Sequence, residues 1–366
     1  MAATDTMSKS ALSLKVIIPK LEAVAIPLFA VIGGFAVFSL FLIVIGKSPA
    51  DFFSLVYKAG FSTGFSWQNT LSRAAPLLLA ALCVALPAKL GLVVIGGEGA
   101  IALGGLTAGA LGPYLSSLPY AISLPILLTA SALVGGAWIG TVGLLRIKRG
   151  VNETIASLLM AYIAIALMNH FIESVFRDPA SLNKPSTQPL VEAMRISDMP
   201  IGISVHWGLF AGILACIFSW ILIEKTTLGF AARIAGSNIR AAQVQGLPVG
   251  KLVIGFTALG GAFAGIAGFY EVTAVHGSAN ASLIAGYGYT GILIAFLARH
   301  NALAIIPVTI LLAGFEASSG LIQRRMDLPD ATILVFEGMV FVAILLSETL
   351  YGRFKIFSAS YWSKPL

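Results

Sequence analysis

Ten stretches of this chain are apolar over the length that a hydrocarbon layer demands: 24–45, 70–88, 99–116, 121–145, 153–175, 207–223, 252–273, 283–298, 303–320 and 332–350. A helix that crosses the bilayer core needs about 20 apolar residues. In lipid, backbone polar groups must be satisfied within the segment or by a closed barrel. Runs of this length without strand-type alternation therefore predict helices. The expected fold class is all-α, a polytopic membrane protein with about ten transmembrane helices. The third and eighth stretches are rich in glycine and are the weakest of the ten.

Composition excludes the main alternatives. Hydrophobic residues make up 58% of the chain and charged residues 11%, against about 25% charged in a soluble domain. A mean hydropathy of +0.93 leaves no polar sequence for a large soluble domain. The net charge of +7 does not point to nucleic acid, because every basic cluster adjoins an apolar run and serves to set topology. Cys83 and Cys216 both lie in apolar runs and read as packing residues, with no disulfide or metal site implied. The first apolar run is too long for a secretory signal and has no clear cleavage site.

With the N-terminus inside, the inner segments hold fifteen Lys and Arg and the outer segments eight. The positive-inside rule then gives N-in and C-in, which an even number of spans requires. Residues 1–23 form a cytoplasmic leader, 24–351 the transmembrane domain and 352–366 a cytoplasmic tail. Two outer segments are long. Residues 46–69 read as an amphipathic surface stretch, and 176–206, rich in Pro, Ser, Asp and Asn, as a loop that either meets an external partner or merely connects.

Helices 2–5 and 7–10 have opposite topology, which suggests inverted repeats. Each block has a glycine-interrupted segment at its second helix, Gly96–Gly99 and Ala285–Gly291. Matched interruptions of this kind point to the pathway of a transporter. Small residues recur at Ala100, Gly104, Ala108 and Gly112, and at Gly261, Gly265, Ala264 and Gly268, as faces for close helix crossing.

Gly46-Lys47-Ser48 resembles the end of a phosphate-binding loop, but the required upstream glycine is Phe41, so this chain is not expected to bind ATP. His170, His206, His276 and His300 have no ligand spacing. Glu98, Glu271, Glu316 and Glu337 fall in or beside apolar runs, where a carboxylate must find an interior partner. Glu98 stands out for its glycine frame. It either shapes a pathway or pairs with a cation such as Lys89 and locks a bend.

Between the sixth and seventh runs lies a basic island, 225–251, with Lys225, Arg233, Arg240 and Lys251 and no acidic residue. Ser237 is placed to cap a short helix over 238–245. Gly246 is placed to end it in the left-handed conformation, with Pro248 preventing its continuation. A capped helix on the cytoplasmic face is suited to docking another subunit.

Thr227–Val249 resembles the cytoplasmic coupling loop of ABC importer permeases of the branched-chain amino acid and simple sugar class. Three further stretches carry the likeness. Ala75–Gly99 is similar to the family segment ending N-I-G-x-E-G-Q. Lys148–Ala164, with Gly150-Val151-Asn152-Glu153, resembles K-x-G-V-N-E-V-I-x-T-x-M-x-N-Y-I-A. Gly286–Asn301 resembles G-x-G-F-x-G-I-A-V-A-L-L-G-x-N-x. The chain departs from the family at Val94, Ala100 and Ala161, where polar residues are usual.

The resemblance extends to permeases that work with basic-membrane-protein-type binding lipoproteins. It implies uptake of a nucleoside or simple sugar across a bacterial inner membrane. It also implies partner ATPases that use ATP and Mg, a second, paralogous permease forming a heterodimer, an external binding lipoprotein and surrounding lipid. No cofactor is expected on this chain, and it is not expected to be an enzyme itself. The residues implied in ATPase coupling are Gly229, Arg233, Gly236, Ser237, Asn238, Arg240, Ala241, Ala242 and Gly246. Those implied in the substrate pathway are Gly96, Gly97, Glu98, Gly99, Asn152, Glu153, Tyr287 and Tyr289. The alternative reading is a secondary carrier driven by protons or another ion.

Overall fold

The structure is a computed structural model and describes residues 26, 28–199, 204–329 and 331–349. The expected leader and tail lie outside the described residues. Among the described residues the α-helices are, in order, α1 (Leu28–Val44), α2 (Pro49–Gly60), α3 (Gly64–Ala88), α4 (Gly97–Leu115), α5 (Tyr120–Arg149), α6 (Glu153–Glu173), α7 (Gly208–Lys225), α8 (Thr227–Ser237), α9 (Ile239–Val244), α10 (Val249–Tyr270), α11 (Tyr287–Leu297), α12 (Ala302–Met326) and α13 (Ala331–Glu348). The described residues contain no strand, only two isolated bridges.

Among the described residues six helices are long and apolar enough to cross a membrane, or seven if α1 and α2, bent by 118°, count as one span. Each of the ten apolar stretches is mainly helical over its described residues, but α1 passes only together with α2, and α4, α11 and α13 are not among the six. The two weakest stretches of the sequence are α4 and α11.

The chain divides into two compact units. The first comprises Met1–Leu55 and Ser319–Leu366. Its core is aromatic: Phe38 packs on Phe52 and Phe336 with centroids 4.9 and 5.0 Å apart, and Phe35 stacks on Phe53 at 5.3 Å. Asp51 and Lys58 remain exposed on α2, which is amphipathic as expected.

The second unit, Val56–Ser318, is built around α10. Helices α3, α4 and α5 all pack against it through small residues. A Cβ on Gly104 of α4 would run into the backbone of Gly265, and one on Gly135 of α5 into the carbonyl of Gly261. On the α3 side, a Cβ on Gly260 would lie 2.8 Å from the carbonyl oxygen of Cys83. The small-residue faces of α4 and α10 are therefore where backbones meet, which lets dispersion contacts hold helices that hydrophobicity cannot drive together in lipid.

Candidate functional site

Helices α4 and α11 both begin inside the second unit, and their first turns meet. Gly97 and Glu98 are buried, and Glu98 is only 1% exposed. The Gly288 Cα lies 3.6 Å from where a Gly97 Cβ would stand, and a Cβ on Gly288 would collide with the backbone nitrogen of Glu98. Only glycine permits this approach. Gly286, with φ 88°, turns the chain into α11 in a conformation that other residues rarely adopt.

The Glu98 carboxylate closes the junction. Its Oε1 accepts the Gly286 N–H at 2.8 Å and its Oε2 the Gly288 N–H at 2.6 Å. The first N–H groups of a helix have no internal partner and carry partial positive charge. A buried carboxylate placed there is solvated by protein rather than by water. The partner of Glu98 is thus the N-terminus of α11 rather than a cation such as Lys89, one of the two readings that the sequence left open.

Each of these helices is reached by a lead-in segment from an opposite end of α10. The first, 92–96, is gripped by the start of α6. The Ser157 hydroxyl accepts the Ile95 N–H at 3.0 Å, and the Thr154 hydroxyl donates to the Val93 carbonyl at 3.0 Å. A Cβ on Gly96 would lie 2.9 Å from the Ser157 carbonyl oxygen, and one on Gly99 2.7 Å from Ala161 Cα. Asn152 caps α6 by accepting the Ile155 N–H at 3.1 Å, and Glu153 is buried against Arg146 at 3.4 Å. These two residues are bonded at the α5–α6 turn and set the helix that holds the lead-in.

The second lead-in, 277–286, follows a π-helical turn at Glu271–His276. It is tied to the long 176–206 segment. Thr187 N–H donates to the Ala279 carbonyl at 2.9 Å, Leu190 N–H to the Gly277 carbonyl at 2.8 Å, and Ser186 bridges Asn280. Along this part the segment is held to the second lead-in by these bonds.

Tyr287 is partly buried behind the junction, while Tyr289 is 40% exposed beside it, with Tyr162 of α6 as an exposed neighbour. Glu316 hydrogen-bonds Thr290 of α11 and faces Arg73, and Glu271 pairs with His276 at 3.4 Å.

The basic island folds as two helices, not one. Its first part is α8, capped by Thr226, which accepts the Gly229 N–H at 3.2 Å. Gly229 packs against the carbonyls of Leu222 and Ile223. Arg233 is paired with Glu224 at 2.5 Å, just outside the island. The cap of the short helix is Asn238, not Ser237: Asn238 Oδ1 accepts the Ala241 N–H at 3.0 Å, whereas the Ser237 hydroxyl donates back to the Ile234 carbonyl. Asparagine has an acceptor of the right reach and adopts the extended cap conformation, so the helix starts one residue later, at Ile239. Gly246 has φ 77°, and Leu247 N–H bonds the Ala242 carbonyl, the expected left-handed stop. Ala242 is fully buried, whereas Arg240 is exposed and Val244 is 88% exposed.

Gly236 links this region to the junction. A Cβ there would enter the Lys89 carbonyl, at the point where α3 turns into the first lead-in. Burial lowers the Lys89 pKa, with Glu224 opposing and Arg233 adding to the effect. His300, in the α11–α12 turn, is pushed down to about 4 by burial and by Lys89. Lys89, Thr154, Ser157 and Tyr162 lie inside the quoted stretches without being named there as coupling or pathway residues, and Thr187 lies outside them. Their importance comes from contacts distant in sequence.

The pattern that defines the branched-chain amino acid transport system / permease component family matches residues 66–345. The chain is 30% identical over 342 residues to the guanosine ABC transporter permease protein of Bacillus subtilis, covering 87% of this chain and 94% of that one. It is 29% identical to the glucose ABC transporter permease protein of Haloferax volcanii, over 93% of this chain and 91% of that one. Identity to the nucleoside ABC transporter permease protein of Lactococcus lactis is 24%, over 93% and 96%. With its apolar helices, the chain is a multi-pass membrane protein and belongs to the branched-chain amino acid transport system / permease component family.

Proposed function

We propose that this chain is the permease subunit of an ABC importer that moves a nucleoside or simple sugar across the bacterial inner membrane. The observation that carries the reading is the continuous contact from Gly236, through the Lys89 backbone and the 92–96 lead-in, to Glu98 and the start of α11. In this reading the chain crosses the membrane ten times with both termini inside. The second to fifth and seventh to tenth spans, α3–α6 and α10–α13, are inverted repeats, a reading supported by the two lead-ins that approach the junction from opposite ends. Helices α8 and α9 dock partner ATPases, which bind ATP and Mg. The 46–69 and 176–206 segments face an external binding lipoprotein, and a paralogous permease completes the pathway.

Closure of the ATPases shifts α8 and α9, and Gly236 passes the shift to the Lys89–Gly91 turn. The Glu98 latch then transfers it to α11. Tyr162 and Tyr289 offer aromatic faces on which a base or sugar ring can stack. Glu98 positions the pathway and does not itself touch substrate. The names of the relatives favour ATP as the energy source over an ion gradient. Arg240 is the exposed cation of α9, so Arg240→Glu in the assembled importer in vesicles is expected to abolish uptake-coupled ATP hydrolysis while leaving membrane insertion intact. Normal uptake by this variant would refute the coupling assignment.

A further inference from the structure

An open groove of about 580 Å³ runs between α5 and α10 and includes no residue of the α4–α11 junction. Gly140 and Ala258 form its floor, where a Cβ on Gly140 would lie 3.1 Å from the Ala258 Cβ. Leu133 and Leu144, both exposed, form one rim. The only polar side chain among its lining residues is Thr141, whose hydroxyl is already donated to the Ala137 carbonyl at 2.8 Å. The groove therefore offers a polar solute no hydrogen bond. It spans α5 from Ala132 to Leu144, about 18 Å at the helical rise, close to the roughly 15 Å of one bilayer leaflet's hydrocarbon.

One end of the groove is cationic. At that end the two helices converge, since a Cβ on Gly250 would lie 3.3 Å from Ile147 Cγ2. The next residue on each helix is a lysine, Lys148 and Lys251, and both are exposed. Lys148 follows Leu144 by four residues, and Lys251 precedes Ile254 and Ala258 by three and seven, so both lie on the groove side of their helices. Neither is ion-paired among the described residues, whereas nearby Arg146 is held by Glu153. Two free ammonium groups at the mouth of an apolar channel one leaflet long match one molecule, an anionic phospholipid. An apolar helix from another chain would fill the channel but would leave both cations without a counter-charge.

We propose that the α5–α10 groove is a binding site for an anionic phospholipid, with an acyl chain in the groove and the headgroup phosphate between Lys148 and Lys251. Long lysine stems reach the headgroup layer from such positions. The site stands independently of the transport reading, because anionic lipid binds it whichever leaflet it faces. The test is native mass spectrometry of the full chain released from bilayers of phosphatidylglycerol and phosphatidylcholine in equal parts. Retention of phosphatidylglycerol over phosphatidylcholine is expected. Each lysine near a membrane surface strengthens anionic binding about fivefold, so Lys148→Ala with Lys251→Ala should weaken it about thirtyfold. Ala137→Phe, which fills the groove from an exposed position, should reduce retention of both lipids, while Lys58→Ala should change neither. Equal retention of the two headgroups, or unchanged retention in the double variant of intact melting temperature, would overturn the proposal. Displacement by millimolar inorganic phosphate, or cross-linking of Leu133→Cys to a second protein chain in place of lipid, would also overturn it.

Discussion

Glu98 does at atomic scale what its neighbouring glycines make possible. Its carboxylate satisfies two N–H groups at the start of α11, the buried one of Gly288 and the partly buried one of Gly286. Removing it leaves two orphan donors, each costing about 1–3 kcal/mol. Glu98→Ala is expected to destabilise the chain by about 2–5 kcal/mol, read as a lower melting temperature in detergent, and Glu98→Gln by less, since its amide keeps one acceptor. An alanine variant as stable as the parent would show that the latch carries no weight. His300 gives a pH-dependent counterpart. Its pKa is held at about 4, below the ordinary histidine value of 6.5, and its Nδ1 is buried with no hydrogen bond. The unfolded chain therefore binds a proton that the folded chain refuses between pH 6.5 and 4, so this residue lowers stability as pH falls through that window. His300→Phe should flatten the pH dependence of the melting temperature from pH 7 to 5. Identical slopes for parent and variant would contradict the assignment.

Helices α8 and α9 show how a short element can be fixed by single residues. Gly236 has no room for a side chain against the Lys89 carbonyl, so Gly236→Val must push α8 away from the first lead-in. In the assembled importer this variant is expected to hydrolyse ATP without uptake, and uptake at the parent rate would contradict transmission through this contact. Asn238→Ala removes only a cap, worth about 1 kcal/mol, and should speed hydrogen exchange over 239–244 about fivefold. Much of this element was legible from the chain: the left-handed stop at Gly246 follows from a glycine before Pro248, and the exposed Arg240 from a basic island between apolar runs. The cap was misplaced by one residue because serine and asparagine are adjacent and both are good caps. Only the competing Ser237 bond to Ile234, set by the end of α8, decides between them. The Glu98 frame was visible in sequence as well. Its partner was not, since Gly286 and Gly288 lie some 190 residues away.

At the scale of the molecule, the two lead-ins make a symmetrical argument. Each comes from its own end of α10, each is bonded to a segment at that end, and both converge on Glu98. If alternating access works by moving these half-helices relative to α10, pinning either lead-in should stop transport without unfolding the chain. Ser186 and Asn280 are opposed in an antiparallel bridge, and opposed residues place their Cβ atoms about 4.5–5.5 Å apart, a spacing from which small adjustments allow a disulfide. The natural cysteines Cys83 and Cys216 are buried and should not compete. Ser186→Cys with Asn280→Cys, oxidised in the assembled importer, is expected to lose most uptake and to recover it on reduction. The Asn280→Cys single variant controls for loss of the cap that Asn280 gives to Ser282. Rapid uptake by the fully oxidised double variant would mean that the outer lead-in stays still through the cycle. The moving part would then have to be sought on the α8 side alone, where pinning Val93 to Thr154 by the same cysteine strategy would be the decisive comparison.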